Sequence, residues 1–237
     1  APFARFQGSF VSLFPFVEGR TLTRQEVGPD EAGAAGRALA ELHLAGADFL
    51  DHRPGRYEPD EIDRRLHLIA ATKDDASLSA AVAILAPALA HLRTSRAGHQ
   101  PPLGLIHGDL FIDNVLYDDA RLTALLDFEQ ASWGRLVYDL AVSVLAFGFG
   151  HDDFRADVTR AFLDGYRAVR VPTAVEERAF ADELRFAACR FAVTRITDVY
   201  MRRTAGAPGG KDFWRYIKRL HAVERHLAER SGLFRLT

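Results

Sequence analysis

Apolar and polar positions along the chain change period twice, and the changes divide it into three stretches. Residues 8–17 are rich in Phe and Val and stop at Glu18-Gly19, which predicts a strand ending in a turn. Pro29-Asp30-Glu31 then opens a helix, because proline suits the first turn and carboxylates favour the positive end of the helix dipole. Leu39, Leu42 and His43 continue it at helical spacing. Pro59-Asp60-Glu61 repeats the start signal ahead of Ile62, Leu66 and Ile69, and the Ala- and Leu-rich stretch Leu78–Leu92 predicts a buried helix bent at Pro87. After Pro101-Pro102 the period shortens. Leu103–Ile106, Val115–Tyr117 and Leu122–Leu126 are short apolar runs, and Asp118-Asp119 supplies turn chemistry between the last two, so a small β element with a hairpin is expected. Beyond it the helical period returns over 137–147, 152–169, 174–203 and 213–230, broken near Pro172 and at Gly206-Ala207-Pro208-Gly209-Gly210. The pattern predicts an α+β fold: a mostly helical body around a small β patch, with no linker-like segment to mark off a second domain.

Composition narrows the function. Thirty Lys and Arg against thirty-two Asp and Glu leave a net charge of −2, so no strong field draws the chain to nucleic acid. The single cysteine, Cys189, cannot form an internal disulfide, which fits a reducing compartment, and its apolar helical setting makes it a core residue. No run approaches about 18 uninterrupted apolar residues, and Ala1-Pro2-Phe3-Ala4-Arg5 lacks the layout of a secretory signal, so no membrane span and a cytoplasmic location are expected.

The densest polar cluster sits in the most apolar surroundings, at His107-Gly108-Asp109-Leu110-Phe111-Ile112-Asp113-Asn114, with Asp127 at the end of the third short strand. Buried carboxylates must be paired or coordinate a metal. Phosphoryl transfer needs both a carboxylate to accept the proton of the attacking hydroxyl and oxygen ligands for Mg²⁺ on the nucleotide phosphates. Asp109 followed by Asn114, and then by Asp127 on the next hairpin, is the layout of a kinase catalytic core. Separately, Asp109 reads as a turn residue and Asn114 as a strand-start cap. His107 is expected to hold the loop structurally, and Asp113 to face away from the metal.

Leu105-Ile106-His107-Gly108-Asp109, Asn114-Val115-Leu116, Leu126-Asp127-Phe128 and Tyr138-Asp139-Leu140-Ala141 resemble the aminoglycoside phosphotransferase and choline kinase superfamily. That resemblance implies a protein-kinase-like fold and transfer of phosphate from ATP, with Mg²⁺, to a hydroxyl of a small metabolite. It implies Asp109 as catalytic base, Asn114 and Asp127 as metal ligands, and Asp139 as a prop beneath the catalytic loop; a helix-start carboxylate is the plain alternative for Asp139. Within the superfamily the loop Asp109-Leu110-Phe111 to Leu116 is most similar to the kinase-like homoserine kinase family, with Pro15–Arg20, Leu39–His43, Arg190-Phe191 and Lys211-Asp212 in support. Asp127-Phe128-Glu129 is also similar to choline and ethanolamine kinases.

The resemblance divides the chain into residues 1–20, the last strand or strands of a small lobe plus a hinge, and residues 21–237, a helical C-terminal lobe with the catalytic loop at 105–127. In Leu13-Phe14-Pro15-Phe16 it implies that the Phe14 carbonyl and Phe16 N–H face the adenine of ATP; core packing is the alternative for both rings. The Gly-rich loop and its lysine are not present, the first lysine being Lys73, so the chain is expected to be a fragment of a longer protein or a degenerate member. Gly206-x-x-Gly209-Gly210-Lys211 has the wrong spacing for a phosphate loop and reads as a helix–helix connection. Arg190, Arg195, Arg202 and Arg203 read as a solvated face, with one of them a candidate for an anionic substrate group. Three functions remain: a homoserine kinase-like phosphotransferase; a kinase of another small alcohol (aminoglycoside, choline or sugar-like), with Glu129, Asp152 and Asp153 as candidates for a cationic acceptor; and a non-catalytic descendant that binds a nucleotide or a partner.

Overall fold

A computed structural model of the chain describes residues 3–72, 74–119, 121–202 and 212–236. Lys73, Arg203 and the Gly206–Lys211 stretch lie outside the described residues. Two short strands, β1 (Ala4–Phe6) and β2 (Ser9–Val11), form an antiparallel hairpin. Its two-residue turn, Gln7-Gly8, has both φ values positive, as the favoured hairpin turn requires. The predicted strand over 8–17 is therefore the second arm of a hairpin and stops at Val11. The chain beyond it joins the body where Arg20 exchanges backbone hydrogen bonds of 2.9 Å with Tyr117.

Three helices follow: α1 (Pro29–Ala45), α2 (Pro59–Ala70) and α3 (Ala76–Ala97). Asp75 caps α3 by accepting from the Leu78 N–H at 2.9 Å. Leu78, Ala81, Leu85, Leu89 and Leu92 form one buried stripe, while Pro87 sits on the exposed side, so α3 is half-buried rather than enclosed. It is long and apolar enough to meet the length and composition of a membrane-crossing helix. Its buried stripe, however, lies on the side packed against neighbouring helices, α2 among them.

The β patch consists of β3 (Leu103–Ile106), β4 (Val115–Asp118), β5 (Arg121–Leu125) and β6 (Ser132–Arg135). The β4–β5 hairpin is the predicted one. By contrast, β3 pairs antiparallel with β6, Leu105 opposite Trp133, so the first apolar run belongs to a separate two-stranded sheet. The second helical set is α4 (Leu136–Phe147), α5 (Ala156–Arg167), α6 (Ala174–Arg195) and α7 (Trp214–Ala228), with one π-helical turn, Ile196–Tyr200, after α6. Every residue of α4 except Tyr138 is buried, which makes it the spine of the core. Helices α1 and α5 cross at backbone contact: a Cβ on Gly36 would collide with the Phe162 carbonyl, and one on Gly165 with the Gly33 carbonyl.

Candidate active site

Strand β3 delivers the chain into the His107–Phe111 loop. The His107 ring is fully buried, donates from Nε2 to the Leu126 carbonyl at 2.8 Å and lies 4.7 Å from the Phe128 ring. Gly108 has φ +76°, and a Cβ there would stand 2.9 Å from the Gln130 carbonyl oxygen, so the turn requires glycine. Beneath the loop sits Asp139, in the first turn of α4 and wholly buried. Its carboxylate accepts from the His107 N–H at 2.7 Å and from the Gly108 N–H at 2.8 Å. His43, on α1, donates to it from Nε2 at 3.1 Å, and the other ring nitrogen accepts from the Tyr166 hydroxyl at 2.8 Å. Arg170 in turn donates to that hydroxyl at 3.0 Å, which sets the direction of the whole chain of bonds. Burial is the largest influence on Asp139 and pushes its pKa up; the hydrogen bonds from His43 and from the Gly108 N–H act against it. The carboxyl is held below its ordinary value.

Above this support, Asp109 is partly open, with 29% of its side chain exposed. The Asn114 side-chain amide donates to the Asp109 carbonyl at 2.8 Å, which turns the Asn114 oxygen away from its own loop. Asn114 ends a short 3-10 turn, Ile112–Asn114, and its carbonyl accepts from the Leu126 N–H at 2.9 Å, tying the loop to the end of β5. The next residue, Asp127, adopts left-handed backbone angles, φ +61° and ψ +61°. Asp109, Asn114 and Asp127 all line one cavity of about 430 Å³. Asp113 lines it too, rather than facing away. The donor set suits a hard cation: a carboxylate and an amide oxygen, few in number, with room for water in the remaining positions.

The same cavity contains residues that the sequence pattern did not expose. Arg190, read as part of a solvated face, is buried, with its side chain only 4% exposed. Its guanidinium carbon lies 4.2 Å from the Tyr57 ring centre, and its Nη1 is 3.7 Å from the Asp109 carboxylate. Its Nε is buried without a hydrogen-bond partner. Arg24, Arg195, Arg215 and Arg219 line the cavity as well. Nothing in the 3.6-residue period distinguishes an arginine that points into a cleft from one that points into water; convergence of the loop at Arg24 with α6 and α7 does. Glu129, Asp152 and Asp153 are not among the cavity's lining residues. Asp152 bonds Lys218 at 3.3 Å, and Asp153 bonds Arg225 at 2.8 Å and His226 at 2.9 Å. Phe14 and Phe16 are exposed on the segment after β2 and lie outside the cavity lining. Cys189 is buried in α6, and burial pushes its thiol up to about 12, so it is inert.

Asp109, Asn114 and Asp127, gathered in one cavity at the end of the β patch, form the arrangement expected of a phosphotransferase. The phosphotransferase enzyme family matches residues 1–172, and the chain belongs to it. Several curated homoserine kinases are 30–36% identical to it; that of Xanthobacter autotrophicus is 33% identical over 225 residues, 93% of this chain and 68% of its own length. Among solved structures, a choline/ethanolamine kinase family protein from Mesorhizobium loti superimposes with a TM-score of 0.66 at 18% identity, over 98% of this chain and 74% of that one. Amicoumacin kinase, solved with AMP-PNP and Ca²⁺, superimposes with a TM-score of 0.61 at 15% identity, over 96% of this chain and 65% of that one. The chain thus spans about two thirds of the length of these relatives.

Proposed function

We propose that the protein is a cytoplasmic ATP-dependent phosphotransferase acting on the hydroxyl of a small metabolite, of the homoserine kinase type. The observation that carries this reading is the meeting of Asp109, Asn114 and Asp127 in one cavity, with the Asn114 amide bonded to the Asp109 backbone. In this reading Asp109 accepts the proton of the acceptor hydroxyl as its oxygen attacks the γ-phosphorus of ATP. The bond from that phosphorus to the β,γ-bridging oxygen breaks, and ADP departs. Asn114 and Asp127 would hold Mg²⁺, which would supply positive charge to the phosphate oxygens. Residues 1–20 are the last strands of the small lobe and the hinge, with the Phe14 carbonyl and Phe16 N–H directed at adenine; residues 21–237 are the large lobe.

Two further features support it. Asp139 fixes the backbone on the N-terminal side of Asp109, so the base is preorganised rather than mobile. The acidic side chains that the sequence offered as candidates for a cationic acceptor, Glu129, Asp152 and Asp153, do not line the cavity. The test is an acceptor panel with Mg-ATP on the natural protein: L-homoserine, choline, ethanolamine and an aminoglycoside, read by ADP release. Homoserine-dependent ADP release is expected; ADP release with none of these acceptors would sink the proposal.

A further inference from the structure

The kinase reading leaves one wall of the cavity unexplained. Five arginines line it, and four of them, Arg24, Arg195, Arg215 and Arg219, have no carboxylate within ion-pair distance among the described residues. Their arrangement is convergent. The Tyr216 ring carries the Arg195 guanidinium carbon at 4.7 Å and that of Arg219 at 4.5 Å. Arg219, almost fully buried, donates to the Arg215 carbonyl at 3.1 Å and to the Leu145 carbonyl at 2.9 Å. Arg24 donates to the Ala146 carbonyl at 2.9 Å and also to that of Phe149. Asp198, the acid nearest to Arg195 in sequence, is already held by Arg65 at 2.7 Å. Burial pushes the Arg219 guanidinium down to about 10, and burial followed by the Arg215 charge lowers that of Arg24. Asp109, Asp113, Asp127 and Asp198 share the cavity but none is within ion-pair distance of these four arginines, so an anion on the α6–α7 wall would offset their mutual repulsion.

Where that anion comes from follows from the order of groups across the cleft. Asn114 and Asp127 stand on the hairpin side, where the nucleotide phosphates and metal belong. Asp109 is tied to Asn114 on that side and approached by Arg190 of α6 on the other. An acceptor with its hydroxyl at Asp109 therefore extends toward α6 and α7, the elements that carry Arg195, Arg215 and Arg219.

We propose that Arg195 and Arg215, backed by Arg219, form a carboxylate subsite for the acceptor, so that the protein selects hydroxy amino acids over amino alcohols that lack the acid group. This rests on the kinase reading and adds the specificity-determining residues to it. Arginine suits the task because its planar fork matches a carboxylate.

The experiment compares L-homoserine with 3-aminopropan-1-ol, which is the same molecule without the carboxylate, on the full natural protein and on Arg195→Gln, Arg215→Gln and Arg195→Lys. Charge-assisted hydrogen bonds of this kind correspond to a roughly 10- to 100-fold rise in KM for homoserine in each Gln variant. The KM for ATP should stay put, Arg195→Lys should recover part of the loss, and the preference for homoserine over aminopropanol should shrink. Thermal melts accompany each variant, and Arg215, being exposed, offers one whose folding is not at stake. A raised KM for ATP with homoserine unaffected would assign the arginines to the nucleotide phosphates and overturn the subsite. Wild-type transfer to aminopropanol as readily as to homoserine would overturn it while leaving kinase chemistry intact. Transfer to neither would overturn the kinase reading instead; calorimetry with L-homoserine then decides the subsite alone, and equal binding by wild type and Arg195→Gln rejects it.

Discussion

A carboxylate serves as a general base when it is open to the acceptor and yet fixed in place. Asp109 meets the first condition through its exposure to the cavity and the second through the bond from Asn114 to its carbonyl. Asp109→Asn keeps the shape and removes the proton acceptor, so kcat should fall by ~10²–10⁴-fold. The melting temperature should hardly move, and an active Asp109→Asn enzyme would shift the role to Asp113, which faces the same cavity. Asn114→Ala and Asp127→Ala should act through the metal instead, each raising the Mg²⁺ concentration that gives half-maximal rate. Asp127 should matter more because its ligand is charged; Mg²⁺ titrations that coincide with wild type in both variants would remove the assignment. That these three residues meet in one cavity was legible in the sequence, because polar groups inside an apolar run demand an explanation. The arginines opposite them were not, since Arg190 and Arg195 look like any helix-surface cation until α6 is set against α7 and Tyr57.

Among the elements, α4 does most to hold the site, and it does so backwards. Asp139 lies in its first turn, where the sequence shows a helix-start carboxylate, but the side chain reaches out of the helix to the His107 and Gly108 N–H groups. A chain of donors from Arg170 through Tyr166 and His43 ends on the same carboxylate. Because its folded pKa is depressed, Asp139 contributes stability that is full above the unfolded Asp value of about 3.9 and is lost as pH falls through the lower folded value. Melting temperature against pH should therefore drop in acid below about pH 4 for wild type. Asp139→Asn should melt lower at neutral pH, by ~1–3 kcal/mol for each N–H left without its acceptor, and show a shallower acid limb. Parallel limbs in the two proteins would contradict the linkage. Helix starts at Pro29 and Pro59 and the Asp118-Asp119 turn could be read directly, since each is local chemistry. Strand β6 could not: Ser132-Trp133-Gly134-Arg135 has no alternation, and only pairing with β3 makes it a strand. The π turn after α6 was hidden because the helical period runs through it, although it carries Asp198 and Val199 into the cavity wall.

At the scale of the molecule, the cleft lies between parts of the chain far apart in sequence, and a buried ionic cluster ties one of them, α6, to α3 and β6. Glu183 of α6 is fully buried and accepts from Arg96 of α3 at 2.8 Å and from Arg135 of β6 at 2.9 Å. Arg135 also donates to the Arg96 carbonyl at 3.0 Å, and the Arg96 guanidinium carbon lies 3.7 Å from the Phe186 ring centre, so the cluster is packed as well as paired. Such a cluster contributes little net stability compared with apolar residues of the same size, but removing one charge strands the others, at a cost of ~3–5 kcal/mol. Glu183 and Arg190 are seven residues apart, two turns along the same face of α6. The cluster therefore also fixes the helix that brings Arg190 to Asp109. Glu183→Gln should lower the melting temperature by roughly 10 °C for a chain of this size. It should also depress turnover at temperatures where the variant is still folded, because a loosened α6 no longer holds Arg190 beside Asp109, the proposed base. Calorimetric melts beside steady-state rates test both halves. A variant that melts early yet turns over at the wild-type rate while folded would show that the cluster joins the helices without setting the site.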